Sequence, residues 1–558
     1  MNPVSAISSQ SCLPLLGSEL VELEQSLASL ARELHQRCSP KGQFDAGLLD
    51  NWQQPAFELA LCQAEWSAAQ ALLEHVTGQG NTPLLADSCL LFVTEVMHSI
   101  SQRLLACGLP AIRKQALQLL QRQAFADLLE RGQDPEFRAA LGQALSEGHI
   151  KSLGAGLDAD KLTMQQSFAR FADQEVAPLA EAIHREDRDI PESLLGKAAE
   201  LGCFGSCIPQ RFGGFQPDEG ADSLAMIVVT EELSRASLGA AGSLVTRPEI
   251  AARALLAGGT EEQQQRWLPA LASGQRLCAI AITEPDTGSD VAAVRLRARP
   301  TENGWLLSGS KTWSTFAGRS ELLVVLARSE AGQSGHRGLS LFLLEKPAFG
   351  GHEFRHEQPR GGVLQGRAIA TLGYRGMHSF ELNFEDYFVP ADMLVGAEAG
   401  RGKGFYYTMA GFAGGRIQTA ARANGVMQAA YEQALEYCSQ RQVFGKPLAD
   451  YQLSRIKLAR MQASITASRL LSHAVARQLD RGAGQMQASL VKLFACRAAE
   501  WISREAMQLH GGMGYAEESA VSRYFVDARV LSIFEGAEEV LAIKVIARDL
   551  IEKVKPHD

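Results

Sequence analysis

The sequence predicts a mostly α-helical protein with a central β-domain. Residues 1–275 carry helical periodicity, short β-rich runs separated by turn residues occupy 276–395, and long helical patterns return in 396–558. Helices, then strands, then helices indicate separate layers rather than an alternating βαβ sheet. No G-x-G-x-x-G motif follows a predicted strand and opens a helix, so the sequence does not support a Rossmann dinucleotide site.

The first 150 residues predict a helical extension. Apolar residues recur there at three- and four-residue spacing, in 18–37 and 85–105. Breaks are predicted at Cys38-Ser39-Pro40, Gly78-Gln79-Gly80-Asn81 and Gly108-Leu109-Pro110, and the glycine-containing stretch 148–160 predicts a linker. The pattern leaves the role of the extension open: it could cover a subunit surface, narrow a ligand pocket or bind a partner.

Three further domains are predicted after the extension. Residues 151–275 predict a helical domain, in which Thr260 and Gln263 fit a capping box. Residues 276–395 predict a compact antiparallel β-domain, and residues 396–558 a C-terminal helical domain. Strands are predicted at 305–307, 322–327, 339–344 and 380–384, and the last helices at 415–440, 451–479, 485–509 and 537–554.

The composition is that of a large globular chain. Its 558 residues carry a net charge of −9, which argues against a general nucleic-acid binder. No run reaches 18 apolar residues and residues 1–16 lack signal-peptide features, so we expect no membrane span and a cytoplasmic location. Of ten cysteines only Cys203 and Cys207 lie close together, with no second pair to complete a zinc site, so we expect reduced thiols and no metal site.

The most informative stretch is 283–290, with the sequence TEPDTGSD, directly after the apolar run 277–282. A β-branched apolar segment followed by a Gly- and Ser-containing turn predicts a buried strand that opens into a ligand-binding loop. Gly288 and Ser289 would then offer backbone N–H groups and a hydroxyl. A polar hairpin turn is the simpler alternative.

Three other segments combine turn residues with aromatic or polar side chains: 309–315 (GSKTWST), 441–447 (RQVFGKP) and 508–515 (QLHGGMGY). The planar fork of Arg441 suits bidentate binding of phosphate oxygens. Each segment also has a simpler interpretation. Trp313 could be core, 441–447 a surface turn, and Gly511 a helix C-cap followed by a flexible turn.

The segment 532–539, SIFEGAEE, places Glu535 between apolar residues and a predicted helix start. A carboxylate held away from water is suited to removing a proton from carbon, and Gly536 leaves room beside it. The simpler alternative is an exposed glutamate that opens the last helix. Glu538 and Glu539 are predicted to lie in the first turn of that helix, where its dipole favours acidic residues.

Together these motifs resemble the acyl-CoA dehydrogenase family over roughly residues 160–555. The resemblance implies the family's fold, with a helical domain, an antiparallel β-domain and a C-terminal helical bundle, and it implies FAD as the cofactor. It also implies α,β-dehydrogenation of an acyl-CoA, with Glu535 as the base and flavin N5 as hydride acceptor. The implied FAD-binding residues are Ile280, Ile282, Thr283, Gly288, Ser289, Trp313, Ser314, Thr315, Arg441, Phe444, Gln452, Gln508, Gly512, Ala537 and Glu539.

Two positions need comment within this resemblance. Ser314 departs from the family's Trp-Ile-Thr, although a contact through its backbone should survive. Some members carry the base on a different helix, and the matching position here is Gly415. The sequence therefore predicts that no carboxylate competes with Glu535.

The substrate prediction depends on finer likenesses. The stretches 371–377, 416–422 and 533–537, and the N-terminal extension, resemble the branch of the family that converts (2S)-methylsuccinyl-CoA to mesaconyl-CoA. The free carboxylate of that substrate needs a cationic partner if it is buried. Arg247 is the predicted partner, with a surface or helix-start cation as an equal alternative. The implied substrate-binding residues are Arg247, Ser289, Arg416 and Gly536, and a salt bridge is the alternative role for Arg416.

The resemblance also implies an electron-transfer flavoprotein as electron acceptor and a homodimer or homotetramer with FAD at subunit interfaces. Neither nucleic acid nor membrane is an expected partner. Three alternatives stay open: another short or branched acyl-CoA as substrate, an acyl-CoA oxidase that uses O2, and a non-catalytic flavin-binding protein that acts on nucleic acid. Residues 404–558 carry mixed charges without a dense cationic run, which disfavours the last.

Overall fold

A computed structural model describes residues 9–78, 82–154, 156–359 and 361–554, with Ala413 described by its backbone alone. The chain forms two compact units. Met1–Leu162 with Thr419–Asp558 form the terminal unit, and Thr163–Gln418 form the central unit. The predicted break at 78–81 and the predicted linker at 148–160 each include residues outside the described ranges.

Six helices form the N-terminal part of the terminal unit. Thr82 caps the third helix, which ends before Gly108, and Pro110 opens the fourth, so the predicted break at 108–110 is confirmed. The first helix begins earlier than predicted because its buried face continues through Leu13 and Leu16. The helices are α1 (Ser9–Arg37), α2 (Gln53–Gly78), α3 (Pro83–Ala106), α4 (Pro110–Leu120), α5 (Gln123–Gln133) and α6 (Pro135–Glu147).

The central unit begins with helices and continues into a sheet. The capping box is confirmed: the Thr260 hydroxyl accepts from the Gln263 N–H, and the Gln263 side chain accepts from the Thr260 N–H. The helices are α7 (Ala159–Phe171, which starts in the terminal unit), α8 (Ala177–Arg185), α9 (Glu192–Glu200), α10 (Ser223–Ala236), α11 (Thr246–Gly258) and α12 (Glu261–Ala272).

Eight strands form one sheet in the central unit. They are β1 (Cys278–Ala281), β2 (Arg297–Thr301), β3 (Gly304–Thr315), β4 (Leu322–Arg328), β5 (Leu339–Glu345), β6 (Glu353–Glu357), β7 (Val363–Ala368) and β8 (Ser379–Pro390). Their order is β1-β4-β2-β3-β8-β7-β6, with β5 also paired to β4. The sheet departs from the antiparallel prediction in two pairings, because β4 lies parallel to β1 and, at one residue pair, to β2. The helix α12, not a hairpin, leads into β1, so no tight turn forces β1 to be antiparallel.

The last helices start in the central unit and continue in the terminal unit. They are α13 (Ala397–Gly400), α14 (Gly404–Gln440), α15 (Gln452–Asp480), α16 (Gln485–His510), α17 (Gly512–Tyr515), α18 (Ala520–Leu531), α19 (Glu538–Val540) and α20 (Arg548–Glu552), with a hairpin of β9 (Gln442–Val443) and β10 (Lys446–Pro447) before α15. Between α19 and α20, Leu541–Ala547 is a π-helix. The alternative prediction that Gly511 caps α16 is confirmed. The flexible turn predicted after Gly511 is wrong, because the short helix α17 lies there. The helix α18 was not predicted.

Helix α14 starts 11 residues before the predicted 415–440. The predicted helix left out Gly411 and Gly414, whereas both lie inside the observed helix and allow close packing. A Cβ on Gly411 would lie 2.9 Å from Ile250 of α11, and a Cβ on Gly414 would lie 1.8 Å from the Glu249 side chain. Both glycines therefore let α14 approach α11 more closely than any residue with a side chain would.

Within the terminal unit, the N-terminal extension packs against the C-terminal helices of the same chain, chiefly α15 and α16. Glu95 on α3 pairs with Arg138 on α6 at 3.4 Å and with Arg460 on α15 at 2.6 Å. The closest approach is at Gly142 on α6, where a Cβ would lie 2.0 Å from the backbone oxygen of Arg455 on α15. The extension is thus part of one packed unit with α15.

Replacing Gly142 by alanine is expected to lower the free energy of unfolding by at least about 2 kcal/mol, because the added methyl overlaps backbone that cannot move independently. The matched control is Gly17→Ala on α1, where the nearest atom lies at an ordinary 3.7 Å. That change should raise helix stability by up to about 1 kcal/mol. Urea unfolding of both variants measures the difference. Equal effects would mean that α6 and α15 do not approach as closely as described.

One described helix, α3, is long and apolar enough to cross a membrane by length and composition. Its most apolar 18-residue window is 72% buried inside the structure. Packing against the neighbouring helices α2, α4 and α5 therefore accounts for its hydrophobic composition. All ten cysteines are free and buried, in agreement with the expectation of reduced thiols.

Candidate functional site

In the central unit, the 283–290 loop forms a tight turn directly after β1. The Glu284 N–H donates to the Thr287 carbonyl at 2.9 Å, and the Thr287 N–H donates back at 3.1 Å. The turn that the simpler interpretation proposed is therefore present. Gly288 and Ser289 follow it on the exposed surface of the loop. The Thr312 N–H donates to the Thr283 carbonyl at 2.8 Å, so the structure brings the first two predicted motifs side by side.

A buried ion pair holds these two motifs together. The Lys311 ammonium donates to the Glu284 carboxylate and to the Ile282 carbonyl, each at 2.8 Å. Glu284 also accepts from the backbone N–H groups of Arg295 and Leu296 at 2.7 and 2.8 Å. Burial lowers the pKa of Lys311 to about 8, against the opposing effect of Glu284. Sequence analysis assigned no role to this pair, because its partners are 27 residues apart.

The end of β3 holds the residues that the resemblance assigns to the flavin ring. Trp313 has φ of 58° and is 55% exposed, although it is a large aromatic residue. The next residue, Ser314, is fully buried, and its hydroxyl has no hydrogen-bond partner in the described part of the chain. The Thr315 hydroxyl bonds to the Ser379 hydroxyl at 2.9 Å.

These features fit a flat aromatic cofactor such as a flavin. The indole of Trp313 is accessible and can stack on a flat aromatic ring. Its left-handed φ is unusual for a bulky residue, and such strained residues are concentrated at functional sites. The hydroxyls of Ser314 and Thr287 are buried and have no hydrogen-bond partner among the described residues, so each can form a hydrogen bond with a bound ligand. Ile280 and Ile282 are buried beneath the same edge of the sheet.

In the terminal unit, the predicted loop 441–447 is the β9–β10 hairpin. Phe444 and Gly445 form its tip with φ of 47° and 83°, and the phenylalanine is 95% exposed. Arg441, at the base of the hairpin, is also exposed, and Gln452 starts the next helix. The simpler interpretation of a surface turn is therefore correct for the backbone, while the exposed Phe444 and Arg441 can still contact a ligand or a partner.

The predicted segment 508–515 lies in the terminal unit, at the end of α16. Gln508 and Gly512 are exposed, and the buried His510 bonds to the Ala506 carbonyl at 2.8 Å. The His510 ring stacks on Tyr437 with ring centroids 4.2 Å apart. His510 is therefore a packed residue, as its simpler interpretation proposed.

Glu535 lies in the short segment between α18 and α19, not in a helix. Its φ is 54°, and the following Gly536 has φ of 103°. The Gly536 carbonyl accepts from the buried Lys492 ammonium at 2.7 Å. Ala537 precedes α19, and Glu538 and Glu539 lie in its first turn as predicted. Glu535 is thus held on a strained backbone just before a helix start.

A buried arginine lies beside Glu535. The Arg422 side chain is completely buried, its Nη2 lies 4.0 Å from the Glu535 carboxylate, and its guanidinium lies over the Phe534 ring at 4.6 Å from the centroid. The Glu535 side chain is only 9% exposed. The structure therefore places a buried cation next to the predicted base. Sequence analysis gave Arg422 no role, although a cation directly after the small residues 419–421 of a predicted helix was an available signal.

In the central unit, helix α11 carries the predicted Arg247. This side chain is 7% exposed, and its charge acts on Cys278 at the start of β1, where burial raises the thiol pKa to about 12 and Arg247 opposes the rise. Two residues later, Glu249 is fully buried and accepts from Arg253 at 2.7 Å. Arg247 is therefore not a surface cation, but it lies in the first turn of α11, as the helix-start alternative proposed.

The prediction that no carboxylate competes with Glu535 needs correction. Glu249 brings a buried carboxylate against Gly414, next to the alternative base position at Gly415. The sequence could not show this contact, because the two positions are 165 residues apart. Glu249 already forms a salt bridge with Arg253. Glu535 therefore stays the preferred base, and Glu249 is the alternative base to test.

Two buried polar side chains near these residues in sequence were also missed. The Thr246 hydroxyl, three residues before Glu249, and both amide atoms of Gln418, four residues after Gly414, are buried without hydrogen-bond partners in the part of the chain that the structure describes. Arg416, between Gly414 and Gln418, is half-buried. Unsatisfied buried polar groups are rare in native structures and are consistent with a polar ligand.

The comparisons agree with this arrangement. The chain matches the N-terminal, middle and C-terminal domains of acyl-CoA dehydrogenases at residues 158–275, 279–387 and 402–551. It is 41% identical to a (2S)-methylsuccinyl-CoA dehydrogenase of Cereibacter sphaeroides over 77% of each chain. It also resembles the butyryl-CoA dehydrogenase of Megasphaera elsdenii, with 30% identity, a TM-score of 0.65 and coverage of 71% of this chain and 99% of that one. A glutaryl-CoA dehydrogenase of Mycobacterium smegmatis in complex with FADH2 matches at 26% identity, with a TM-score of 0.62 and coverage of 72% and 96%.

Proposed function

Because the chain belongs to the acyl-CoA dehydrogenase family, we propose that it catalyses the α,β-dehydrogenation of (2S)-methylsuccinyl-CoA to mesaconyl-CoA. Membership makes it an FAD-dependent oxidoreductase that acts on the CH–CH bond of an acyl-CoA. The proposal therefore concerns which acyl-CoA it oxidises and which residues carry out each role.

The observation that carries the proposal is the burial of Arg247 in the first turn of α11, where its side chain is only 7% exposed. Two residues later on the same helix, the buried Glu249 pairs with Arg253 at 2.7 Å. A substrate carboxylate that enters a buried site needs a cationic partner. The planar fork of an arginine is suited to bind it. The unsatisfied Thr246 and Gln418 side chains support a polar group in the same ligand.

Two of the three relatives are named for substrates of this chemical class. The most similar of the three carries the name of a methylsuccinyl-CoA dehydrogenase, and another is a glutaryl-CoA dehydrogenase. The butyryl-CoA dehydrogenase matches equally well in fold. The fold is therefore shared by enzymes named for acidic and for apolar acyl groups, and Arg247 is the residue we propose to decide between them.

We assign the proton abstraction to Glu535. Its carboxylate removes the α-proton of the thioester, while Gly536 leaves space for the thioester beside it. The Glu535 backbone N–H donates to the thioester oxygen and stabilises the developing enolate charge. Arg422 lies beside the carboxylate and packs on the neighbouring Phe534 ring, which holds this segment in place. FAD, when bound, accepts the hydride from the β-carbon.

The FAD site is proposed from the residues of the predicted motifs. Ser289 and Gly536 are proposed to contact the substrate as well. The proposed FAD contacts are Ile280, Ile282, Thr283, Gly288, Ser289, Trp313, Ser314 and Thr315 in the central unit, and Arg441, Phe444, Gln452, Gln508, Gly512, Ala537 and Glu539 in the terminal unit.

The exposed β9–β10 hairpin supports a homo-oligomer. Arg441 and Phe444 extend from the surface of their own chain, and we propose that they reach the FAD of a second copy in a homodimer or homotetramer. We also propose an electron-transfer flavoprotein as electron acceptor and a cytoplasmic location.

The test is anaerobic spectrophotometry of the purified protein against (2S)- and (2R)-methylsuccinyl-CoA, butyryl-CoA, isobutyryl-CoA and glutaryl-CoA. Rapid flavin bleaching by (2S)-methylsuccinyl-CoA alone supports the proposal. Faster bleaching by butyryl- or isobutyryl-CoA would keep the mechanism and overturn the substrate. Peroxide formation under air at the rate of turnover would identify an oxidase.

A further inference from the structure

A cluster of two histidines and two aspartates lies in the central unit, outside the residues assigned above. It contains Asp187, Asp189, His352 and His378, and is called here the Asp187–His378 cluster. One ligand atom each from Asp187, His352 and His378 lies within 4.8 Å of the others. Among the described residues, these three offer the potential ligands of a metal ion.

The imidazole of His378 is the centre of the cluster. Its Nε2 lies 3.2 Å from the Asp187 carboxylate, and its Nδ1 lies 3.2 Å from the Asp189 carboxylate. Asp189 is itself held by the Gly351 N–H at 2.6 Å. A carboxylate on the far nitrogen of a histidine is the arrangement that orients metal-bound imidazoles in proteins.

The third group, His352, completes the set from a different loop. Its Nε2 lies 3.9 Å from the Asp187 carboxylate and 3.0 Å from the Asp187 carbonyl, and its ring lies 4.4 Å from that of His378. Ligand atoms around a tetrahedral zinc ion are about 3.4 Å apart, given bond lengths of about 2.1 Å. The ion would replace the proton that His352 now shares with the carbonyl. Since the ligand atoms lie within 4.8 Å of one another, the exposed loop of His352 needs to move by at most about 1.4 Å.

Arg375 is the competing cation nearest to the cluster. Its Nε lies 3.7 Å from the Asp187 carboxylate, too far for a hydrogen bond. The guanidinium instead donates to the carbonyls of Thr371 and His184, each at 3.0 Å. Its hydrogen bonds are thus directed elsewhere, and Asp187 can bind a second cation.

We propose that Asp187, His352 and His378 bind a divalent transition-metal ion of the zinc class, with Asp189 orienting His378. Two imidazoles and one carboxylate suit Zn²⁺, Co²⁺ or Ni²⁺ and do not suit Mg²⁺ or Ca²⁺, which prefer oxygen ligands. Sequence analysis predicted no metal site, because the ligands come from segments up to 191 residues apart.

The ion would join three segments to the strand that carries Trp313. Asp187 follows α8, His352 precedes β6 and His378 precedes β8. The Phe316 N–H, one residue after β3, donates to the His378 carbonyl at 2.8 Å. Both Asp187 and His378 have positive φ, at 53° and 42°, which the surrounding structure must stabilise. The proposed role is structural: the ion stabilises the fold of the central unit around the end of β3.

The holoenzyme is stripped with EDTA, loaded with Zn²⁺ at about pH 8, where ordinary imidazoles are neutral, desalted, and assayed by plasma mass spectrometry. About one zinc ion per chain should remain, and Tm should rise with Zn²⁺ but not with Mg²⁺. His352→Ala and Asp187→Asn should lose the bound zinc. Asp189→Asn keeps all three ligands and should weaken binding about 10- to 100-fold.

His98→Ala is the matched control, because His98 is exposed on α3 in the other unit. It should bind zinc as the wild type does. His352 lies on an exposed loop, so its variant should keep the circular dichroism and FAD content of the wild type. Zinc content that is negligible in the wild type, or equal in His352→Ala and His98→Ala, would overturn the proposal.

Discussion

Replacing Glu535 by glutamine is expected to lower kcat about 100- to 10,000-fold, the range that a general base contributes. The amide keeps the size of the side chain but cannot accept the α-proton. Arg422 and Phe534 pack on a group of nearly unchanged shape, so FAD content and acyl-CoA binding should be retained. The measurement is stopped-flow flavin bleaching with (2S)-methylsuccinyl-CoA under anaerobic conditions.

The control for this variant is Glu552→Gln on α20, a half-exposed carboxylate with a surface partner at 3.4 Å. Surface pairs of this kind contribute little, so turnover should stay at the wild-type level. Glu249→Gln tests the rival carboxylate. Turnover within tenfold of wild type in Glu535→Gln, with loss of bleaching in a folded Glu249→Gln, would move the base to Glu249.

Replacing Arg247 by methionine is expected to reduce kcat/KM for (2S)-methylsuccinyl-CoA about 30- to 1,000-fold. Removing one partner of a buried charge pair costs about 2–4 kcal/mol, and each 1.4 kcal/mol is about tenfold in rate. The acyl group of butyryl-CoA has no free carboxylate that Arg247 could bind, so kcat/KM for butyryl-CoA should change by less than about tenfold. The ratio of the two values, measured on one enzyme preparation, is the readout.

Methionine keeps much of the volume of arginine, which limits packing loss at a position that is 7% exposed. The surface variant Arg355→Met, at a half-exposed side chain on β6, controls for the loss of a positive charge. An equal loss with both substrates would give Arg247 a structural role. An unchanged ratio would mean that another group binds the substrate carboxylate, and Arg416 would be the next candidate.

Much of the fold follows from local sequence. The Thr260–Gln263 capping box, the Pro110 helix start and the acidic first turn at Glu538 depend on contacts between residues close in the chain. Such contacts form wherever the local pattern occurs, because they satisfy backbone groups that the helix itself leaves unpaired. The order of helices, strands and helices was therefore readable from periodicity alone.

The predictions from local sequence were wrong where a contact between residues far apart in the chain determined the secondary structure. Gly411 and Gly414 lie outside the predicted helix 415–440, yet they are inside α14, where α11 packs directly on them. Likewise β4 pairs in parallel with β1, although turn spacing suggests a purely antiparallel sheet. Tertiary packing outweighs a glycine's intrinsic cost of about 1 kcal/mol in a helix.

By itself, the sequence determined the family and its motifs, and it predicted Glu535 as the base. Only the tertiary structure decided which distant residues meet: Lys311 with Glu284, Arg422 with Glu535, and Glu249 with Gly414. The physical reason is that a motif is a local pattern of donors and turns, whereas burial and ion pairing depend on residues far apart in the chain. The interaction energy between two charges depends on how much water the surrounding residues exclude, and only the folded chain brings those residues together.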